Sequence, residues 1–292
     1  LGGFVEVLAF LSMFWRVEVA FPNMELLKDY ITFALPIAMS GMLGIIQMYT
    51  DRAMLQLFWH TYEVGGYFGV QKICMALTYL SNSVLFVLFP AQARHFSIKS
   101  YDRLKDITYK SERYLSLIIL PIVGFGIALA PEILNLWSAR LIRFSMPLRI
   151  LLIHAFIYSI NTPYVTQIVS ANRPAEIMKV NFVQASLNVV LNAVLIPTSI
   201  FGIALFGLRS TGAAIATLVS YSVGMVIVKY RAWRILGARF NPRILLHVLA
   251  CTFASISVWA LHTYLHPLYH FYEIMGGFAL FLAIYSGILY MS

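Results

Sequence analysis

Apolar residues run almost unbroken through eight stretches of this chain, and charged residues gather in the gaps between them. The stretches are 30–58, 64–90, 114–131, 148–170, 178–197, 211–229, 244–265 and 272–291. A hydrocarbon core about 30 Å thick needs roughly 20 apolar residues of helix to cross it. No water reaches backbone amides there, so each segment must satisfy its own hydrogen bonds, as a helix does. Every stretch is too long and too uniformly apolar for a membrane β-strand. The pattern therefore predicts an all-α, polytopic membrane helix bundle with eight full spans. Residues 1–15 form a partial N-terminal span. They begin at Leu1, are too short to cross, and carry no basic region or small-residue cleavage site. They fit a signal peptide poorly and read as the end of a severed helix, so the chain is expected to be a fragment of a longer protein.

Composition agrees. The chain is 60% hydrophobic and 11% charged, against about 25% charged in an ordinary soluble protein, and its mean hydropathy is +0.79. The net charge of +9 suggests an anionic partner until its distribution is read. Alternating the gaps between two sides puts fifteen of the 21 basic residues on one side and four on the other. Arg52 and Lys72 lie within spans. This asymmetry fits the positive-inside rule and places loops 91–113 and 230–243 in the cytoplasm of a multi-pass protein of the cytoplasmic membrane. The basic balance is thus mostly topology. No recognition motif accompanies it, so no nucleic-acid partner is expected. Cys74 and Cys251 fall inside spans without a CxxC pair or metal-ligand spacing, and read as small packing residues. No P-loop, GxSxG or HExxH motif occurs. The sequence points away from an enzyme, and no cofactor or metal is expected.

The gaps divide the chain into three parts: 1–29, the end of a severed helix and a cytoplasmic linker; 30–229, six spans; and 230–292, a basic joint followed by two more spans. Ser97–Arg113 mixes charges three and four apart, as in Asp102–Lys105 and Asp106–Lys110, which meet on a helix. It reads equally as a short amphipathic surface helix or a solvated loop. Pro36, Pro121 and Pro163 interrupt helical hydrogen bonding inside spans and mark kinks or packing features.

Charges at membrane depth are costly and usually functional. Asp51 lies about 30 Å along the helix from Tyr30, at 1.5 Å per residue, and Lys72 about 12 Å inside its own span. Arg52 and Lys72 thus reach similar depth on neighbouring antiparallel helices. Together they suit an anionic group such as a phosphate. The alternative is that Lys72 pairs with Asp51 in a structural cluster, or that the charges snorkel outward. Gln71 sits beside Lys72. Asn82 is one of several uncharged polar residues in spans, which commonly hydrogen-bond between helices. His154 is a lone histidine on an apolar helix, either a hydrogen-bonded core residue or a proton carrier. Gln184, Asn188 and Asn192 recur every fourth residue and share a face, directed at the bundle or at a cavity. Gly212, Ala216 and Ser220 make a close-packing stripe.

These residues resemble the multidrug/oligosaccharidyl-lipid/polysaccharide flippase superfamily, in its polysaccharide-export branch. The resemblance rests on Leu35–Arg52, on Glu63-Val-Gly-Gly-Tyr67 with Gln71-Lys72, and on Leu88-Phe-Pro90 before Ala93-Arg94. It continues through Ala171-Asn-Arg-Pro174, Asn188-Val-Val-Leu-Asn192 with Ile196-Pro197, and Gly212-Ala-Ala. It implies two six-helix lobes around a central cavity, with 30–229 as the second lobe, 244–291 as an extra pair and the N-terminal lobe missing as a partner. It further implies transport of a lipid-diphosphate-linked saccharide through a membrane, without nucleotide hydrolysis. The substrate-binding residues expected on this basis are Arg52, Lys72, Asp51, Gln71, Asn82 and His154. A multidrug antiporter of the same superfamily would favour carboxylates within the membrane, of which Asp51 is the one clear case. A non-transporting remnant or scaffold is the third possibility.

Overall fold

In a computed structural model of the chain, residues 23–238, 241–264 and 270–290 are described. The elements in order are α1 (Met24–Phe58), α2 (Thr61–Ser97), α3 (Tyr101–Ala128) and α4 (Ala130–Trp137). A 3-10 turn (Ala139–Phe144) leads into α5 (Ser145–Ser170) and α6 (Pro174–Leu195). A two-residue antiparallel pairing of β1 (Ser199–Ile200) with β2 (Ile203–Ala204) precedes α7 (Arg209–Leu236), α8 (Arg243–Tyr264) and α9 (His270–Tyr290). Among the described residues, six helices are long and apolar enough to cross a membrane: α1, α2, α3, α5 with the turn before it, α6 and α7. They sit where six of the eight predicted spans fall. The apolar runs described in α8 and α9 are shorter, Ile244–Ala260 and Gly276–Ile288. The severed helix expected at 1–15 lies outside the described residues.

Local chemistry sets the boundaries. Asn23 accepts a hydrogen bond from the Glu25 amide and caps α1, meeting one of the orphan donors at a helix start. α2 stops where Lys99 takes a left-handed conformation. α3 then starts at Tyr101, so the mixed-charge segment is neither a separate surface helix nor a loop. It forms the first three turns of a 28-residue helix. Its expected pairs form, Asp102–Lys105 at 2.8 Å and Asp106–Lys110 at 2.7 Å. Gly237, at φ +69°, ends α7, so most of the basic joint is helix. Pro36, Pro121 and Pro163 all lie within continuous helices.

The main core is built from α2, α3, α5 and α7, with Tyr67, Val70, Ile119, Phe144, Leu148, Leu151 and Ala213 at its centre. The small-residue stripe does what its spacing predicts. Gly212, Ala216 and Ser220 are all buried, and a Cβ on Gly212 would stand 2.7 Å from the Leu195 carbonyl oxygen of α6. α1 is attached along one line only: its buried residues are Gln47, Asp51 and Leu55, one turn apart. The last two helices pack on α3 through a second cluster that includes Leu120, Phe125, Cys251, Ala254 and Phe281. There the Cys251 thiol reaches the Leu120 carbonyl at 3.2 Å. Both cysteines are free and buried, as packing residues should be.

Candidate functional site

Asp51 and Arg52 are adjacent, and about 100° of helix rotation separates them. The fold sends them to different places. Asp51 points into the bundle, 2% exposed. Its Oδ2 accepts hydrogen bonds from the Tyr67 hydroxyl at 2.7 Å and the Thr217 hydroxyl at 2.9 Å, and its Oδ1 from Asn192 Nδ2 at 2.6 Å. Asn192 also donates to Asn188 Oδ1 at 3.0 Å, and Gln47 Nε2 to Ser220 Oγ at 3.2 Å. One carboxylate therefore ties α1 to α2, α6 and α7. A carboxylate buried in apolar surroundings is tolerated only when its lone pairs are met by donors, and this one meets three. Lys72 does not pair with it, which removes the expected alternative of an Asp51–Lys72 bridge. The stripe of Gln184, Asn188 and Asn192 is buried; Asn188 and Asn192 serve the Asp51 network, while Gln184 lines a cavity of about 240 Å³ with Gln47, Tyr158 and Asn161.

Arg52 turns instead toward α2. Gln71 Oε1 accepts from both its Nε at 3.0 Å and its Nη2 at 2.6 Å. The guanidinium lies 4.3 Å from the Phe68 ring centroid, and the Lys72 ammonium 5.0 Å from the same ring. Phe68 and Lys72 are one turn apart on α2, so a single exposed ring has both cations close to it, a favourable placement near its negative face. Neither cation has an acidic partner within bridging distance among the described residues. This is the pair of neighbouring cations that the spacing predicts, with Phe68 and Gln71 as the parts that hold it.

The remaining predicted residues gather elsewhere. Asp51, Gln71, Asn82 and His154 line one cavity of about 240 Å³, closed in part by Tyr158, Thr217 and Tyr221. Asn82 Oδ1 accepts from the Tyr158 hydroxyl at 2.8 Å. His154 stands edge-on to Tyr221, ring centroids 4.4 Å apart, and its Nε2 has no hydrogen-bond partner. The six predicted residues thus form two groups, with Gln71 belonging to both: a polar cavity inside the bundle, and a cation pair on its α1–α2 face. Among the described residues, no three His, Cys, Asp or Glu side chains gather to hold a metal ion.

Two ion networks brace the ends of the bundle. At one end Glu63, 5% exposed, bonds Arg143 Nη2 and Ser210 Oγ, with Arg209 at 3.7 Å. At the other end Glu112 is fully buried. It accepts from Lys229 Nζ at 2.7 Å and from the Tyr164 hydroxyl at 2.6 Å, while Glu176 pairs with Arg231 and Lys179. Glu112 lies in the segment expected as a surface helix or a solvated loop; it is instead buried, its carboxylate met by Lys229 of α7 and the Tyr164 hydroxyl. Tyr67, Thr217 and Glu63 were also not singled out. The signal for them was present in the Glu63-Val-Gly-Gly-Tyr67 motif and in a threonine following the small-residue run.

Residues 2–96 match the family model described as "Polysaccharide biosynthesis protein". No curated protein sequence matches the chain. Among solved structures, the lipid II flippase MurJ in an inward closed conformation aligns with a TM-score of 0.70 at 11% identity, over 98% of this chain and 59% of that one. An outward-facing multidrug resistance MATE family transporter aligns at 0.60 and 17% identity, over 90% of this chain and 64% of its own. A superfamily transporter from Pyrococcus furiosus, described by the reverse polarity of its binding pocket, aligns at 0.59 and 17%, again over 90% and 64%. The chain spans about three fifths of the length of these structures, all described as flippases or transporters rather than enzymes. Over nearly its whole length the chain thus shares the fold of these solved transporters, and over residues 2–96 it matches the polysaccharide-biosynthesis family model.

Proposed function

We propose that this chain is one lobe, with two accessory helices, of a flippase that moves a lipid-diphosphate-linked saccharide across the cytoplasmic membrane by alternating access, without nucleotide hydrolysis. The observation that carries the reading is the Arg52–Phe68–Lys72 arrangement on the α1–α2 face. Two cations stand there without acidic partners, at membrane depth. Gln71 engages part of the guanidinium and orients it, leaving other N–H groups for phosphate oxygens, which a guanidinium meets in a fork. The sugar would follow in the hydrated space between lobes, and the lipid tail would stay in the bilayer. Two bundles rocking about a central site are the usual means of alternating access. The open face of α1, bound along a single line, is where an opposing lobe would close. Asp51 has a different part in this scheme. It is consumed by three donors inside the lobe and holds α1 to α2, α6 and α7.

The alternative, a multidrug or cation antiporter of the same superfamily, is favoured by one observation, that same buried carboxylate. It is the weaker reading because the exposed face offers cations and the carboxylate is already satisfied.

The test uses the full-length protein in cells that depend on it for surface glycan. Arg52→Ala with Lys72→Ala is expected to abolish export at normal protein levels, whereas Lys72→Arg retains most of it. Wild-type export from the double alanine variant would remove the phosphate role and, with it, this reading.

A further inference from the structure

A groove of about 920 Å³ runs between α3, α8 and α9, on the opposite side of α3 from the main core. Its volume is at the upper end of the roughly 300–1,000 Å³ of small-molecule sites. On α3 it is lined by Arg113, Leu117 and Pro121, each four residues from the next and hence in one row. The row is about 12 Å long at 1.5 Å per residue, close to half of an apolar core about 30 Å thick. Leu246, Leu282 and Ala283 continue the apolar lining from α8 and α9.

The groove's polar lining is Arg113, His247, Tyr285, Ser286 and Tyr290. Arg113 is exposed, and no acidic side chain pairs with it among the described residues. Glu112 beside it is turned inward to Lys229, and Asp106 is bound to Lys110. His247 also lines the groove, its Nδ1 2.7 Å from Ser116 Oγ. Tyr285 lines it too, 3% exposed, with a hydroxyl that has no hydrogen-bond partner. The end of the bundle that bears Arg113 carries the basic run Lys229, Arg231 and Arg234, and Arg243 is the first residue of α8. A cation at the mouth, an apolar slot one leaflet deep and an unmatched hydroxyl along it are complementary to one kind of molecule.

We propose that this groove is a binding site for an anionic phospholipid of the surrounding leaflet, with its phosphate on Arg113 and an acyl chain laid against Leu117, Pro121 and Leu282. Basic pockets between membrane helices bind such headgroups by the same combination of field and shape. The site is separate from the Arg52–Lys72 face and does not depend on the transport reading. The lipid would act as a wedge that holds α8 and α9 against α3.

The chain, purified in detergent, is titrated by native mass spectrometry with phosphatidylglycerol and, separately, with phosphatidylcholine of the same acyl chains. Phosphatidylglycerol is expected to bind more tightly by about fivefold, the factor one surface cation is worth toward an anionic lipid. Arg113→Gln removes that preference and Arg113→Lys keeps it. Ala283→Trp fills the slot and weakens both lipids, and Arg140→Gln, at an exposed cation in the 3-10 turn before α5, changes neither. Equal binding of the two lipids by the unaltered chain overturns the proposal. So does a preference that survives Arg113→Gln, or one that is lost in Arg140→Gln instead.

Discussion

Replacing Asp51 by leucine tests the claim that one carboxylate ties α1 to the bundle. Both side chains branch at Cγ, so the change removes the acceptors and puts the larger bulk of two methyl groups in their place. Three buried donors lose their partner: the Tyr67 hydroxyl, the Thr217 hydroxyl and Asn192 Nδ2. A buried donor left unmet costs about 1–3 kcal/mol, so three cost roughly 3–9 kcal/mol. Burying a leucine returns about 2 kcal/mol, leaving a net loss of about 1–7 kcal/mol. At roughly 2 °C per kcal/mol for a long chain, the thermal midpoint in detergent should fall by about 2–14 °C. Asp51→Asn should fall between leucine and the unaltered chain. Its remaining oxygen still accepts from Tyr67 and Thr217. Its new N–H₂ faces Asn192, whose own Oδ1 has no partner now and can turn to accept. One hydrogen bond is then lost in place of three, about 1 kcal/mol. The reasoning fails if the leucine variant melts with the unaltered chain, or above the asparagine variant.

Other consequences are open to measurement. Glu112→Leu or Lys229→Met alone should destabilise by about 3–5 kcal/mol, as breaking a buried pair does, while the double variant recovers most of the loss; equal effects of single and double changes in a denaturation cycle would contradict this. Glu63→Gln should cost less than about 1 kcal/mol, since Arg143 and Arg209 are half-exposed, and the difference should shrink between about 0.01 M and about 1 M salt as screening tightens from about 30 Å to 3 Å. Gly212→Val should cost about 1–3 kcal/mol or more by overpacking against Leu195; a midpoint unchanged from the native chain is the contrary result. Gly124→Val should loosen α8 from α3, where an added Cβ would run into the Cys251 thiol; proteolysis near 239–243 should quicken, and an unchanged cleavage rate would count against the packing described.

The helices were legible because a membrane leaves so few ways to satisfy a backbone. Hydrophobic length alone located α1, α2, α5 and α6 to within a few residues at most ends. It failed where charge and helix coincide, as in α3, whose first three turns are polar yet helical, and in α7, which runs on through Lys229 and Arg231. Neither end obeys hydropathy, because each charged turn is held by ion pairs in or beside the bundle rather than by lipid. The site was legible in part. Spacing placed Arg52 beside Lys72, since depth on antiparallel helices is simple arithmetic. Spacing could not say which way Asp51 faces, because that depends on Asn192 and Thr217, far away in the chain. A threonine and an asparagine in apolar runs look alike until a carboxylate is seen between them.

The reach of the Asp51 network has a consequence for how the protein is made. The partners of Asp51 lie 16, 141 and 166 residues further along. At a synthesis rate of about 5–20 residues per second, Tyr67 follows within roughly 1–3 s, but Asn192 and Thr217 arrive only after roughly 7–33 s. During that interval the acidic group of α1 has only one of its three donors available, the Tyr67 phenol. Charged side chains cost about 2.5–3.5 kcal/mol to insert, so the newly made segment has a reason to stay sheltered. The order of the helices thus makes Tyr67 an early custodian of Asp51. A ribosome paused between residues 70 and 190 should leave α1 crosslinked to the insertion machinery, and release should come with α7.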